Sequence, residues 1–174
     1  QLGKPHEVAV VPGNHDAYVK TPWNESLVLW DAYMRSDDSA TAQFPSLRVR
    51  GNVAFIGVST SCPTPPLMAT GTVGKDQLQR LAQQLVTARA EGLCRVIFLH
   101  HSPLIATEKW RKRLTDAPAL QELIQKHGAE LVLHGHCCDT ASTPCVVSAE
   151  NITIATGAVV TAQGRGFPKG KGPG

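Results

Sequence analysis

Three short clusters hold most of the histidines of this 174-residue chain: Gly13-Asn14-His15-Asp16, His100-His101-Ser102-Pro103 and His134-Gly135-His136. Five of the seven histidines fall in them, and each cluster follows an apolar run. Imidazole nitrogens and amide oxygens suit Mn, Fe, Zn or Co better than Ca. Each cluster has an ordinary reading by itself. Asn14 can simply shape a turn, and His100 with His101 can form a satisfied loop pair. The one-residue glycine spacer between His134 and His136 is more suggestive, because it brings two rings near one point. Taken together, imidazoles delivered by separate strands to one sheet edge read as a metal site rather than a core.

Those strands can be read from pattern. Glu7–Val11 is expected to be a short buried strand stopped by Pro12-Gly13. A helix is expected over Asn24–Arg35, with Leu27, Trp30 and Met34 on one face. Leu47–Arg50 and Val53–Val58 flank Gly51-Asn52, the pattern of a hairpin. Lys75–Glu91 is the clearest helix, with Leu78, Leu81, Leu85 and Ala88 in register and Gly92 as its stop. Arg95–Leu99 is then a strand, Asp116 the cap of a helix that carries Pro118 in its first turn, and Glu130–Leu133 the next strand. Strands alternating with helices indicate an α/β architecture.

Composition sets the remaining bounds. With 42% hydrophobic and 18% charged residues the chain is an ordinary globular protein, and no apolar run approaches a membrane span. The net charge of +3 belongs to a tail: Arg165, Lys169 and Lys171 lie within residues 162–174, and without them 14 basic residues balance 14 acidic ones. A nucleic-acid partner needs a clustered basic face, so none is expected. A second basic run, Lys109 to Arg113 around Trp110, reads as a solvated loop, or as a segment that approaches an anionic substrate through Arg111 and Arg113. Five cysteines, an odd number with Cys137 next to Cys138, argue against a disulfide framework and for a reducing, cytoplasmic setting. One domain is expected over residues 1–161, followed by a flexible Gly/Lys/Pro-rich tail over 162–174. Oligomeric state is not legible.

The motifs carry a specific resemblance. Val10-Val11-Pro12-Gly13-Asn14-His15-Asp16 resembles the Gly-Asn-His-Asp/Glu motif of the calcineurin-like metallophosphoesterases. Leu99-His100-His101-Ser102-Pro103 is similar to their His-His-Pro-Pro loop, and His134-Gly135-His136 to the start of their Gly-His-x-His motif. The resemblance spans residues 7 to 138. It implies a four-layer α/β/β/α sandwich with mixed sheets, incomplete here, and a centre of two divalent metals (Mn, Fe, Zn or Co). Carried over, Asn14, His100 and His136 would ligate one metal. His15 and His101 would be catalytic candidates beside the phosphate of a small phosphate-ester substrate, and Asp16 would fix the turn. Paired ions of this kind activate water near neutral pH and neutralise charge building on phosphorus.

Two departures qualify the resemblance. The family opens with Asp-x-His and Gly-Asp-x-x-Asp, which supply most ligands of the first metal and the bridging carboxylate, and the residues before Gly13 contain neither. The closing motif runs Gly135-His136-Cys137-Cys138, so Cys138 stands where the second histidine belongs. A thiolate there is either a zinc ligand or an ordinary thiol. The expectation is therefore a carboxy-terminal portion of a metallophosphoesterase. The intact parent would hydrolyse phosphomonoesters or phosphodiesters, and this portion would be weak or inactive. The alternative is a metal-poor scaffold that uses the same fold to bind a protein partner.

Overall fold

The computed structural model describes residues 3–22, 25–104 and 109–136. Expectations for Cys138, for the strand-like runs after Asp139 and for the 162–174 tail lie outside them. The described residues form one four-stranded mixed sheet in the order β1 (Ser46–Arg50), β2 (Val53–Val58), β3 (Cys94–Leu99) and β4 (Leu131–His134). β1 and β2 are the expected antiparallel hairpin, with Arg50 opposite Val53 and Gly51 at φ +59°. That left-handed φ suits glycine. β2, β3 and β4 run parallel, with Val58 beside Leu99 and Leu99 beside His134, so all three end at one edge.

Two long helices make the crossovers that parallel strands require. α2 (Lys75–Ala90) joins β2 to β3, and α3 (Ala117–His127) joins β3 to β4; the remaining helix, α1, is the short turn Asp31–Met34. Ile56, Val58, Ile97 and Leu99 alternate toward the face covered by Leu81, Leu85 and Leu120, and none of these is more than 3% exposed. Truncating one such residue to Ala costs about 2–5 kcal/mol. The mixed sheet with its helices agrees with the expected α/β class. Among the described residues the sandwich shows one of its two sheets. No described helix is long and apolar enough to cross a membrane, and Cys62 and Cys94 are free thiols.

Three local expectations are corrected. Glu7 belongs to a turn, and residues 8–11 join no strand ladder among the described residues. Buried Arg48 claims the Val8 carbonyl instead: its guanidinium donates to Val8 O at 2.8 Å and to Pro5 O, and also reaches Ala32 O and Arg35 O. This lays residues 6–9 across the sheet face opposite the long helices. There they border a cavity of about 280 Å³ with Phe55, Phe98 and Leu133. The expected helix over Asn24–Arg35 is a 3-10 turn, Leu27–Trp30, running into α1. Only Met34 of the expected apolar face is buried, because Trp30 has no core to enter and stays 45% exposed. Asp116 precedes α3 without a side-chain bond to that helix. Its carboxylate instead accepts from Val73 N, Gly74 N and Thr72 Oγ1 at 2.8–3.1 Å, fastening the start of α2.

Candidate metal centre

The edge where β2, β3 and β4 end collects the polar clusters. His100 follows the last residue of β3, and its carbonyl accepts from Gly135 N at 3.0 Å, which carries the β3–β4 ladder one step past the strands. That bond sets His136 beside His100. His136 turns back at φ +64°, a left-handed conformation uncommon for a side-chain-bearing residue. Asn14 arrives from the opposite side on a 3-10 turn, Asn14–Asp16. Asp16 Oδ2 closes that turn by accepting from Gly13 N at 2.8 Å, the structural part expected of it.

Three side chains converge. His100 Nε2 is 2.8 Å from Asn14 Oδ1 and 2.9 Å from His136 Nδ1. Asn14 is 1% exposed, and its Nδ2 donates to Tyr18 Oη at 2.6 Å, which aims the amide oxygen at His100. Tyr18 was not singled out from the sequence, although it stands one helical turn beyond Asn14. Gly13 admits the approach: a Cβ there would sit 3.0 Å from two atoms of the His100 ring.

This donor set fits a cation. One ring nitrogen carries at most one proton, so His100 Nε2 cannot donate fully to both neighbours, whereas a cation takes lone pairs from all three. His136 Nε2, the other nitrogen of the same ring, is buried with no hydrogen-bond partner. Burial pushes the His100 and His136 imidazoles down to about 4, and the neighbouring His101 adds to it. Both rings are therefore neutral at pH 7, with their lone pairs available for coordination. The charges of Lys112 and His15 register on His136 as well, so both lie near the site.

The remaining assigned residues separate. His15 is exposed on the rim, its ring edge-on to Tyr18 at 4.9 Å. His101 belongs geometrically to the histidine cluster, its ring nitrogens within 4.8 Å of those of His100 and His136. It is nevertheless fully buried, with Nδ1 2.7 Å from Thr60 Oγ1 and Nε2 3.0 Å from Ala69 O. The structure thus sets it behind the ligands rather than on the rim with His15. Thr60 and Gly71, which hold it, were also missed from the sequence, because nothing in a Ser-Thr-Ser run marks a hydroxyl that meets a histidine 41 residues away. No carboxylate joins the cluster among the described residues.

No curated protein matches the chain. The model of the calcineurin-like phosphoesterases matches residues 1–138, the stretch that holds the sheet, both long helices and the Asn14–His100–His136 convergence, and the chain belongs to that family.

Proposed function

We propose that the protein is a metal-dependent phosphoester hydrolase, acting on small phosphomonoesters or phosphodiesters, in which Asn14, His100 and His136 hold one divalent ion. The observation that carries this reading is the meeting of Asn14 Oδ1 and His136 Nδ1 at His100 Nε2, within 2.9 Å from both sides. A divalent ion held there supplies positive charge to a phosphoryl oxygen and lowers the pKa of water. In this reading the rest is done by the protein. Tyr18 orients the Asn14 amide, and buried His100 and His136 stay unprotonated at neutral pH. His15, exposed on the rim, donates a proton to the leaving-group oxygen as water's oxygen bonds to phosphorus and the ester bond breaks.

The three donors are neutral, so nothing among them balances the charge of an ion. This set alone binds weakly, and tight binding requires carboxylates in addition. The second ion implied by the family's two-metal site would draw on Cys138. The test is calorimetry of the full chain with Mn²⁺, together with turnover of chromogenic phosphomonoesters and phosphodiesters. Metal-dependent turnover that Asn14→Ala abolishes supports the hydrolase. Absence of turnover, with the fold intact, in a longer chain that also carries the Asp-x-His and Gly-Asp-x-x-Asp motifs replaces it with the partner-binding scaffold, because this portion by itself is expected to be weak or inactive.

A further inference from the structure

We infer that His101 is a positioning residue, a ring locked between Thr60 and Ala69 that braces His100 and His136 from behind and ties the basic 111–115 segment to them. This rests on the metal-site reading of His100 and His136 given above.

The hydrogen bonds fix the ring. A carbonyl only accepts, so the 3.0 Å contact to Ala69 O places a proton on His101 Nε2. Thr60 Oγ1 accepts from His101 N at 3.2 Å and lies 2.7 Å from Nδ1, so its own proton is directed at Nδ1. Thr60 and His101 are each 0% exposed, so both bonds are shielded from water. A ring committed in this way offers no lone pair to a metal and no proton to a substrate. Its faces and edges meet the two ligands instead. The His101 centroid lies 4.9 Å from that of His100 at 90° and 4.5 Å from that of His136 at 45°.

The lock extends outward. A Cβ on Gly71 would meet His101 Nδ1 at 2.3 Å and Thr60 O at 2.5 Å, so only glycine lets the 69–71 segment lie against the ring. That segment bonds in turn to the basic run. Ala69 N donates to Arg111 O at 2.8 Å, Gly71 N to Arg113 O at 3.2 Å, and Thr115 N to Gly71 O at 2.8 Å. One buried imidazole therefore links the ends of β2 and β3 to the loop whose cations border the site.

The test compares His101→Gln, whose amide can donate to Ala69 O and accept from Thr60, with His101→Leu, which fills the space without either bond. The first readout is the nitrogen spectrum of the histidine rings in the metal-free full chain. We expect His101 as the Nε2–H tautomer, with His100 and His136 resonances shifted and broadened in His101→Leu and restored in His101→Gln. The second is Mn²⁺ affinity, expected to fall about tenfold or more in His101→Leu, as for other groups that orient ligands, and to stay within about threefold in His101→Gln. Thr60→Val, a near-isosteric change, should reproduce part of the His101→Leu effect should that variant misfold. Unchanged ring resonances in His101→Leu or Thr60→Val, or equal loss of metal in the Gln and Leu variants, would overturn the inference. If instead Asn14→Ala leaves Mn²⁺ affinity untouched, it is the metal-site reading that fails, and the ring spectrum still judges the lock.

Discussion

His100 Nε2 stands 2.8 Å from Asn14 Oδ1, across 86 residues of sequence. The amide is buried and cannot rotate freely, because its other end donates to Tyr18 Oη at 2.6 Å. A single tyrosine hydroxyl thus decides which atom of Asn14 faces the histidines.

Tyr18→Phe should expose that dependence. The Asn14 NH₂ would lose its partner in a site 1% exposed, at a cost of about 1–3 kcal/mol. Freed to flip, the amide would also present nitrogen rather than oxygen to a cation for part of the time. Chemical denaturation should report the stability loss, and calorimetry a Mn²⁺ affinity lower by about 10–100-fold, the usual effect of removing a ligand's own support. Equal affinities in the two proteins would mean that the amide is oriented by something else.

Gly13→Ala tests the space rather than the bonding. Gly13 has φ −94° and ψ 179°, ordinary extended backbone, so alanine meets no conformational penalty. The difficulty is contact, because the new methyl would stand 3.0–3.2 Å from three atoms of the His100 ring. Overpacking of this kind costs about 1–3 kcal/mol, and moving His100 should weaken Mn²⁺ binding as well. Gly51→Ala is the contrast. It meets nothing within 4 Å but sits at φ +59°, so it should cost about 1 kcal/mol and leave metal affinity unchanged.

The strands and long helices were legible because their apolar residues repeat at fixed periods, and each faces a core that the chain itself supplies. The site was legible for a different reason. Its ligands are scarce residue types placed just after strands, so sequence order along the sheet edge nearly fixes their meeting. What failed was local. Trp30 suited an amphipathic helix yet has no core opposite it. Glu7–Val11 has strand-like composition, but Arg48, 40 residues beyond Val8, takes the Val8 carbonyl and that of Pro5 in the turn before it. Asp116 suited a cap, yet the backbone of another helix start reaches it first. The last two misses are long-range polar contacts that override a local preference, the first is a missing partner surface, and no window of neighbouring residues contains either.

At the opposite end of β3, Arg95 predicts acid sensitivity. Its guanidinium is 8% exposed, donates to His127 O at 2.8 Å and grips the Glu130 carboxylate. The hydrogen bonds from Arg95 hold the Glu130 carboxyl below its ordinary value of 4.5. A depressed folded pKa contributes stability that is present above 4.5 and lost as pH falls through the folded value. Glu130→Gln should therefore be less stable than wild type at pH 7 by up to about 1 kcal/mol, a modest figure because Glu130 is partly solvated. Denaturation curves should show that gap closing as pH falls below 4.5. A gap independent of pH would assign the loss to packing rather than charge.

Lys112 makes the last prediction, and the fold alters which cation it concerns. The sequence offered two readings of this run, a solvated loop or an approach to an anionic substrate through Arg111 and Arg113. In the structure Arg111 lies over Trp110 at 5.1 Å, and the backbone carbonyls of Arg111 and Arg113 face the 69–71 segment. Lys112, between them, is the member of this run whose charge registers on His136. No described carboxylate pairs with it. A cation on the rim, in water, draws an anion mainly through its field, so Lys112→Ala should raise KM for a dianionic phosphomonoester several-fold more than for a monoanionic diester and change kcat little. Added salt should shrink the difference, because screening weakens exposed charges over roughly 10 Å at 0.1 M. Arg111→Ala and Arg113→Ala should have smaller effects; if either exceeds Lys112→Ala, the sequence-based choice was the better one and the site's field enters from the arginines.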